Sequence, residues 1–148
     1  MRKIALAASI GALILVIHAC KKSDSNSNNP SARTVQNFSG SYGITALTAS
    51  VLGTNVNLYD SLPACDRDNI IQLDTNKTAQ FIDAGVVCVP PSDSTGVWSL
   101  SSNTDTLYIA GTANFIKSWD GTTLILTSME NITGIPVPVT ATTTLVKK

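Results

Sequence analysis

The sequence predicts an all-β domain, and three observations carry that prediction. From Val35 onward, Val, Ile, Leu and Thr fall in short runs, with turn residues recurring roughly every eight to twelve positions. Two of those runs, Leu107-Tyr108-Ile109 and Leu124-Ile125-Leu126, are apolar on both faces, and Ile70-Ile71-Gln72-Leu73 nearly is. No segment of helical period is long enough to count as a helix. A sheet with one wet face alternates apolar and polar residues more cleanly. Two-sided apolarity fits a barrel strand that lines an apolar lumen. It equally fits a sandwich whose outer face is covered.

Strands are expected at Gly40–Ser50, Asn55–Tyr59, Asn69–Asp74, Thr78–Asp83 and Gly96–Ser101. Four more follow at Thr106–Gly111, Asn114–Trp119, Thr122–Thr127 and Thr140–Val146. Turns separate them at Asp74–Lys77, Ser101–Asp105 and Asp120-Gly121. Asp-Gly between two apolar runs is the strongest hairpin signal in the chain, because both residues tolerate positive φ. Asn131–Pro138 carries Gly134, Pro136 and Pro138 and reads as a loop or irregular edge.

The first residues carry a separate message. Arg2-Lys3 is a positive start, Ile4 to Ile17 is an apolar run broken only by Ser9 and Gly11, and Ile17-His18-Ala19-Cys20 closes it. That is the shape of a secretory signal, short for a membrane span. A cysteine directly after a small residue resembles the lipobox of bacterial lipoproteins. The resemblance implies cleavage after Ala19 and acylation of Cys20, with the membrane as partner through the acyl chains. The expected division is a signal peptide over 1–19, a flexible tether over 20–34 and a β domain over 35–148. The tether is Ser/Asn-rich and cannot bury a core. The expected address is the outer membrane, on the periplasmic face or the cell surface.

Cleavage removes Arg2, Lys3 and His18, leaving eight basic side chains against the ten acidic ones. No basic patch points to nucleic acid. Without His18 the chain has no histidine, which excludes Ser-His-Asp and Cys-His catalysis and every histidine-containing metal site. Glu130 is the only glutamate. No enzymatic activity, cofactor or metal is expected. With Cys20 lipidated, Cys65 and Cys88 remain, and in an oxidising compartment a Cys65–Cys88 disulfide is expected.

Gly40-Ser41-Tyr42, Cys65-Asp66-Arg67-Asp68-Asn69, Cys88, Gly96-Val97-Trp98-Ser99-Leu100, Leu107, Ile116 and Leu124-Ile125-Leu126 follow one another in an order that resembles the bacterial lipocalin-like domain of short lipoproteins. The resemblance spans nearly all of Phe38–Lys148. Gly40-Ser41-Tyr42 sits where lipocalins carry Gly-x-Trp, with Tyr in the third place. The resemblance implies an antiparallel up-and-down β-barrel of about eight strands. A β-sandwich is the alternative, and it fits less well because Trp98 follows both cysteines.

On this reading Tyr42, Phe81, Trp98 and Tyr108 are candidate contacts for a small apolar or amphipathic ligand, although aromatics on strands are more often plain core. A large cavity would be lined mainly by Ile, Leu and Val. Trp119, beside Asp120-Gly121, is expected half-exposed at a barrel rim. Asp66 and Asp68 flank Arg67 and read as a solvated strand entry, since calcium needs six to eight oxygen ligands. Asp-Ser/Thr-x triplets at Ser61, Ser94 and Thr106 resemble an O-glycosylation acceptor of exported proteins, and the acceptor must be exposed. The expected function is a non-catalytic, lipid-anchored ligand binder. The alternative is an accessory lipoprotein that docks on an envelope protein partner.

Overall fold

The computed structural model describes residues 29–131 and 138–148. Residues 1–28, with the expected signal peptide, Cys20 and most of the tether, lie outside the described residues, as does 132–137 within the expected loop.

Nine antiparallel strands form one sheet. They are β1 (Gly40–Val51), β2 (Thr54–Asn57), β3 (Ile70–Leu73), β4 (Thr78–Ile82), β5 (Ser94–Leu100), β6 (Thr106–Ile109), β7 (Thr112–Trp119), β8 (Thr123–Glu130) and β9 (Val139–Lys147). Each expected strand is present, with ends shifted by a few residues. The order is β2-β1-β3-β4-β5-β6-β7-β8-β9, and β1 also pairs with β9. That last pairing closes β1 and β3–β9 into an eight-stranded barrel and rules out the sandwich. Closure leaves no unpaired edge among those eight.

β1 serves three neighbours. Its first residues pair with β3, from Gly40↔Leu73 to Gly43↔Ile70. Its last pair with β2, from Thr48↔Asn57 to Val51↔Thr54, so β2 is an added flap. Its other edge follows β9, with a register shift between Ile44 and Ala46. β7 has a second shift between Ile116 and Ser118. Such bulges bend a strand and tighten its twist, which a closing barrel requires.

One end of the barrel is filled. A single helical turn, α1 (Val35–Phe38), caps the end where β1 begins, and the Thr34 side chain accepts its Asn37 N–H at 3.2 Å. Phe38, Tyr42, Trp98 and Trp119 are buried there. The Phe38 and Trp119 rings lie 5.0 Å apart, and Tyr42 donates its hydroxyl to the Phe38 carbonyl at 2.8 Å. Burial pushes the Tyr42 phenol well above its ordinary range.

Residues 29–34, the end of the expected tether, lie as a strap across this same end. Trp119 Nε1 donates to the Pro30 carbonyl at 3.1 Å. Arg33 forms an ion pair with Asp105 at 2.9 Å and donates to the Thr104 carbonyl at 3.2 Å. Trp119 is therefore not half-exposed at a rim. It is 9% exposed, covered by the strap on one side and Phe38 on the other.

The opposite end holds the disulfide. A second helical turn, α2 (Ala64–Arg67), precedes β3, and the segment between β4 and β5 follows the β3–β4 hairpin. Cys65 and Cys88 join the two with Cα atoms 5.2 Å apart. Acidic side chains order the rest. The Asp83 carboxylate accepts from the Cys88 N–H at 3.0 Å and the Ser92 N–H at 2.9 Å. Asp68 accepts from the Val86 N–H at 2.8 Å, so it anchors a loop instead of standing as a solvated strand entry.

Candidate functional site

The lumen is not filled along its whole length. A cavity of about 270 Å³ lies at the end opposite α1 and the strap. Its wall is made by inward-facing side chains two residues further along the strands than the filled layer. On β1, Tyr42 belongs to the filled end and Ile44 to the cavity. On β3, Leu73 is in the filled layer and Ile71 in the cavity. On β4, Ala79 and Phe81 divide in the same way. This is the period of two that alternates strand side chains between inside and outside.

Ile44, Ile71, Phe81, Ile109, Leu126 and Leu145 form the apolar lining. Thr112 and Asn114 on β7 and Thr143 on β9 supply its polar groups. Asn114 uses its Nδ2 internally, donating to the Thr112 carbonyl at 3.0 Å and the Leu107 carbonyl at 3.3 Å. Inward-facing Gly96 gives β5 no side chain at this level. A Cβ there would meet the Ala110 Cβ at 3.1 Å, so Ala110 takes the space a larger residue would fill. Among the described residues, no titratable side chain lies in the lining.

Of the four aromatics expected at the ligand, only Phe81 lines the cavity. Tyr42 and Trp98 are core residues of the filled half, 0% and 1% exposed, and Trp98 donates its Nε1–H to the Asp74 carbonyl at 2.9 Å. Each ring is held where its polar atom finds a backbone carbonyl, and that partner lies at the filled end. Tyr108 is 41% exposed and points outward, since its strand neighbours Leu107 and Ile109 are the buried ones. The expectation that Ile, Leu and Val would dominate is met by Ile and Leu, with no valine among the described lining residues. Ile71, Ile109 and Leu126 come from the runs whose two-sided apolarity fitted a lumen or a covered sandwich face. Ile44, Thr112, Asn114 and Thr143 carry no comparable signal in the sequence.

The expected disulfide is present. Cys65, Cys88 and Asp66 lie within metal-ligand distance of one another. Both sulfurs are consumed by the bond, so neither is a thiolate ligand. Among the glycosylation candidates, Ser61 and Ser94 are exposed. Thr106 is 9% exposed and fails the accessibility that an acceptor needs. No protein-family model, no curated protein and no solved structure matches the chain.

Proposed function

We propose that this protein is a non-catalytic, lipid-anchored, lipocalin-like barrel that holds a small apolar or amphipathic molecule in the open end of its lumen. The observation that carries this reading is the 270 Å³ apolar cavity in an otherwise tightly filled barrel. Ligand sites are concave, mostly apolar, and carry a few placed polar groups. This one is slightly below the usual range of roughly 300–1,000 Å³, so its ligand is compact. The lining offers no acid, base or nucleophile beyond hydroxyls without a base to activate them, which supports binding over catalysis.

The lipid anchor rests on Arg2-Lys3, the apolar run and Cys20. The strap supports a particular attachment. It fastens the N-terminal segment to the filled end of the barrel, so an acyl anchor at Cys20 joins the domain on the side away from the cavity. Two measurements test the proposal. Native mass spectrometry of gently purified protein is expected to show a bound adduct that Leu126→Trp abolishes. Cys20→Ala is expected to release the protein from membranes. Bare protein in every preparation would remove the binding reading, and unchanged membrane retention would remove the anchor.

A second reading has one observation in its favour. Val97, Tyr108 and Phe115 are 71%, 41% and 54% exposed and project outward from the adjacent strands β5, β6 and β7. An envelope protein docking there would cover them. Photo-crosslinking from position 108 in native membranes distinguishes the readings, because a pure ligand binder gives no discrete protein adduct. Glycosylation at Ser61 or Ser94 is a separate proposal, supported by their exposure. Intact mass from the native host without sugar increments excludes it.

A further inference from the structure

Resting on the binding reading above, we propose that the cavity selects an uncharged, compact amphiphile, whose hydroxyl or carbonyl end lies against β7 and β9 while its apolar body lies against β3 and β4. The lining is not uniform around the ring. In the closed order β1-β3-β4-β5-β6-β7-β8-β9, β3 stands four places from β7, and β4 four places from β8. Ile71 on β3 and Phe81 on β4 therefore face the sector that carries Thr112, Asn114 and Leu126. Thr143 on β9 pairs directly with Leu126, so the polar groups of β7 and β9 stand on either side of that leucine. β3 and β4 contribute only Ile71 and Phe81, while the cavity's two hydroxyls and its carboxamide all lie on β7 and β9, interleaved with Ile109, Leu126 and Leu145.

Chemistry narrows the class. The Asn114 amide protons are already given to the Thr112 and Leu107 carbonyls, so its side-chain oxygen is the group left for a ligand donor. Threonine hydroxyls donate and accept. A ligand with one hydroxyl or carbonyl meets partners here. Among the described residues, no arginine, lysine or histidine lies in the lining, so a carboxylate or phosphate there would be desolvated without an opposite charge from them. A purely apolar ligand leaves the polar sector without new partners. Size narrows it further. A dry cavity of about 150 Å³ takes benzene. By the same scale the 270 Å³ here takes roughly a two-ring body or its aliphatic equivalent.

Three probes of one shape test this: 2-naphthol, naphthalene and 2-naphthoate, titrated calorimetrically at pH 7 into the folded protein. 2-Naphthol is expected to bind about five- to tenfold more tightly than naphthalene, the value of a hydrogen bond or two. It is expected to exceed the ionised naphthoate by more than that. Thr112→Val and Thr143→Val keep the shape and replace each hydroxyl with a methyl group. Together they are expected to shrink the preference for 2-naphthol over naphthalene to the part that the Asn114 oxygen supplies, and an unchanged near-ultraviolet circular dichroism spectrum shows that the variant is folded. Equal binding of 2-naphthol and naphthalene overturns the proposed class and leaves the apolar-binding reading standing. So does a preference undiminished in the double variant, or naphthoate binding best. Failure of all three probes to bind the unaltered protein removes the binding reading itself.

Discussion

Trp119 donates its indole N–H to the carbonyl of Pro30 at 3.1 Å, across 89 positions of sequence. The bond ties a segment of tether-like composition to the most aromatic part of the core. Trp119→Phe removes the donor and part of the ring. Unfolding in urea is expected to show a loss of about 1–2 kcal/mol, one hydrogen bond plus a small cavity. Arg33→Ala, which removes the strap's partly exposed ion pair with Asp105 and the hydrogen bond to the Thr104 carbonyl, is expected to cost no more than about 1 kcal/mol. If Arg33→Ala cost more than Trp119→Phe, charge and not the indole would be holding the strap.

The Cys65–Cys88 bond closes a loop across the β3–β4 hairpin with a sequence separation of 23. In the chain-entropy account such a loop contributes about 3.5 kcal/mol. Cys65→Ser with Cys88→Ser is expected to lower stability by that order, measured by denaturant unfolding under non-reducing conditions. The cavity end should loosen first. Hydrogen bonds to the side chains of Asp83, Asp68, Asn69 and Asp93 would then hold the segment between β4 and β5, and amide exchange at Val86 and Cys88 is expected to accelerate before exchange at Trp98 does.

Much of the barrel was legible in the sequence because strands announce themselves by period and by turns. Leu124-Ile125-Leu126, apolar on both faces, fitted a barrel strand beside a lumen and a covered sandwich strand alike, and closure of the sheet decides for the barrel, where Leu126 lines the cavity. The site was less legible because a side chain's level along the barrel axis is not encoded locally. Tyr42 and Ile44 share one face of β1, yet one closes the core and the other opens on the cavity. What separates them is α1 and the strap, which cover one end only. Nothing within β1 records that. Tyr108 misled for a related reason. Between two apolar neighbours its parity is ambiguous, and only the β5–β6 register, Ser99↔Tyr108 beside Trp98↔Ile109, turns it outward.

The contrast between the two ends is itself measurable. Leu107 is fully buried in the filled half, and Leu107→Ala is expected to cost about 2–5 kcal/mol, transfer plus cavity. Phe81 already borders open space, so the wall around it has fewer contacts to lose. Phe81→Ala is expected to cost less than Leu107→Ala despite removing more atoms. The opposite order, from urea midpoints with equal slopes, would mean that the cavity end is as tightly packed as the filled one.

Asp120 sits in the β7–β8 turn, where its Oδ1 accepts from the Thr123 N–H at 2.7 Å and the Thr122 N–H at 2.8 Å. These bonds, with the Thr122 hydroxyl, hold its carboxyl below the usual range. Asp74 is lowered in the same direction by Gln72 and Gln80. A depressed folded value means the folded state holds the carboxylate form more strongly than the unfolded chain. The stabilisation is complete above the unfolded pKa, about 3.9, and disappears as pH falls through the lower folded value. Asp120→Asn keeps the shape and one acceptor. It is expected to be less stable than the unaltered protein at pH 7, with the gap closing as pH falls below about 4. A gap that stays constant into acid would mean that the charge contributes nothing.

The Asp120-Gly121 pair carried the strongest turn signal, yet the tightest hairpins lie elsewhere. Leu52-Gly53 joins β1 to β2 and Ala110-Gly111 joins β6 to β7, with φ of 50° and 82° in the first and 49° and 84° in the second. Positive φ at both central residues is the mark of a turn that follows the strand twist, and it favours Asn or Asp in the first place. Leucine and alanine hold that conformation at a cost of roughly 1–2 kcal/mol. Leu52 is 94% exposed, so its side chain recovers nothing through burial. Leu52→Asn is therefore expected to raise stability by up to about 1 kcal/mol. Ala110→Asn relieves the same strain but places a larger side chain beside Gly96 and the cavity, so its gain is expected to be smaller. Thermal unfolding of the two variants side by side measures the difference. A larger gain at position 110 would show that the cavity rim has more room than the Gly96–Ala110 contact leaves.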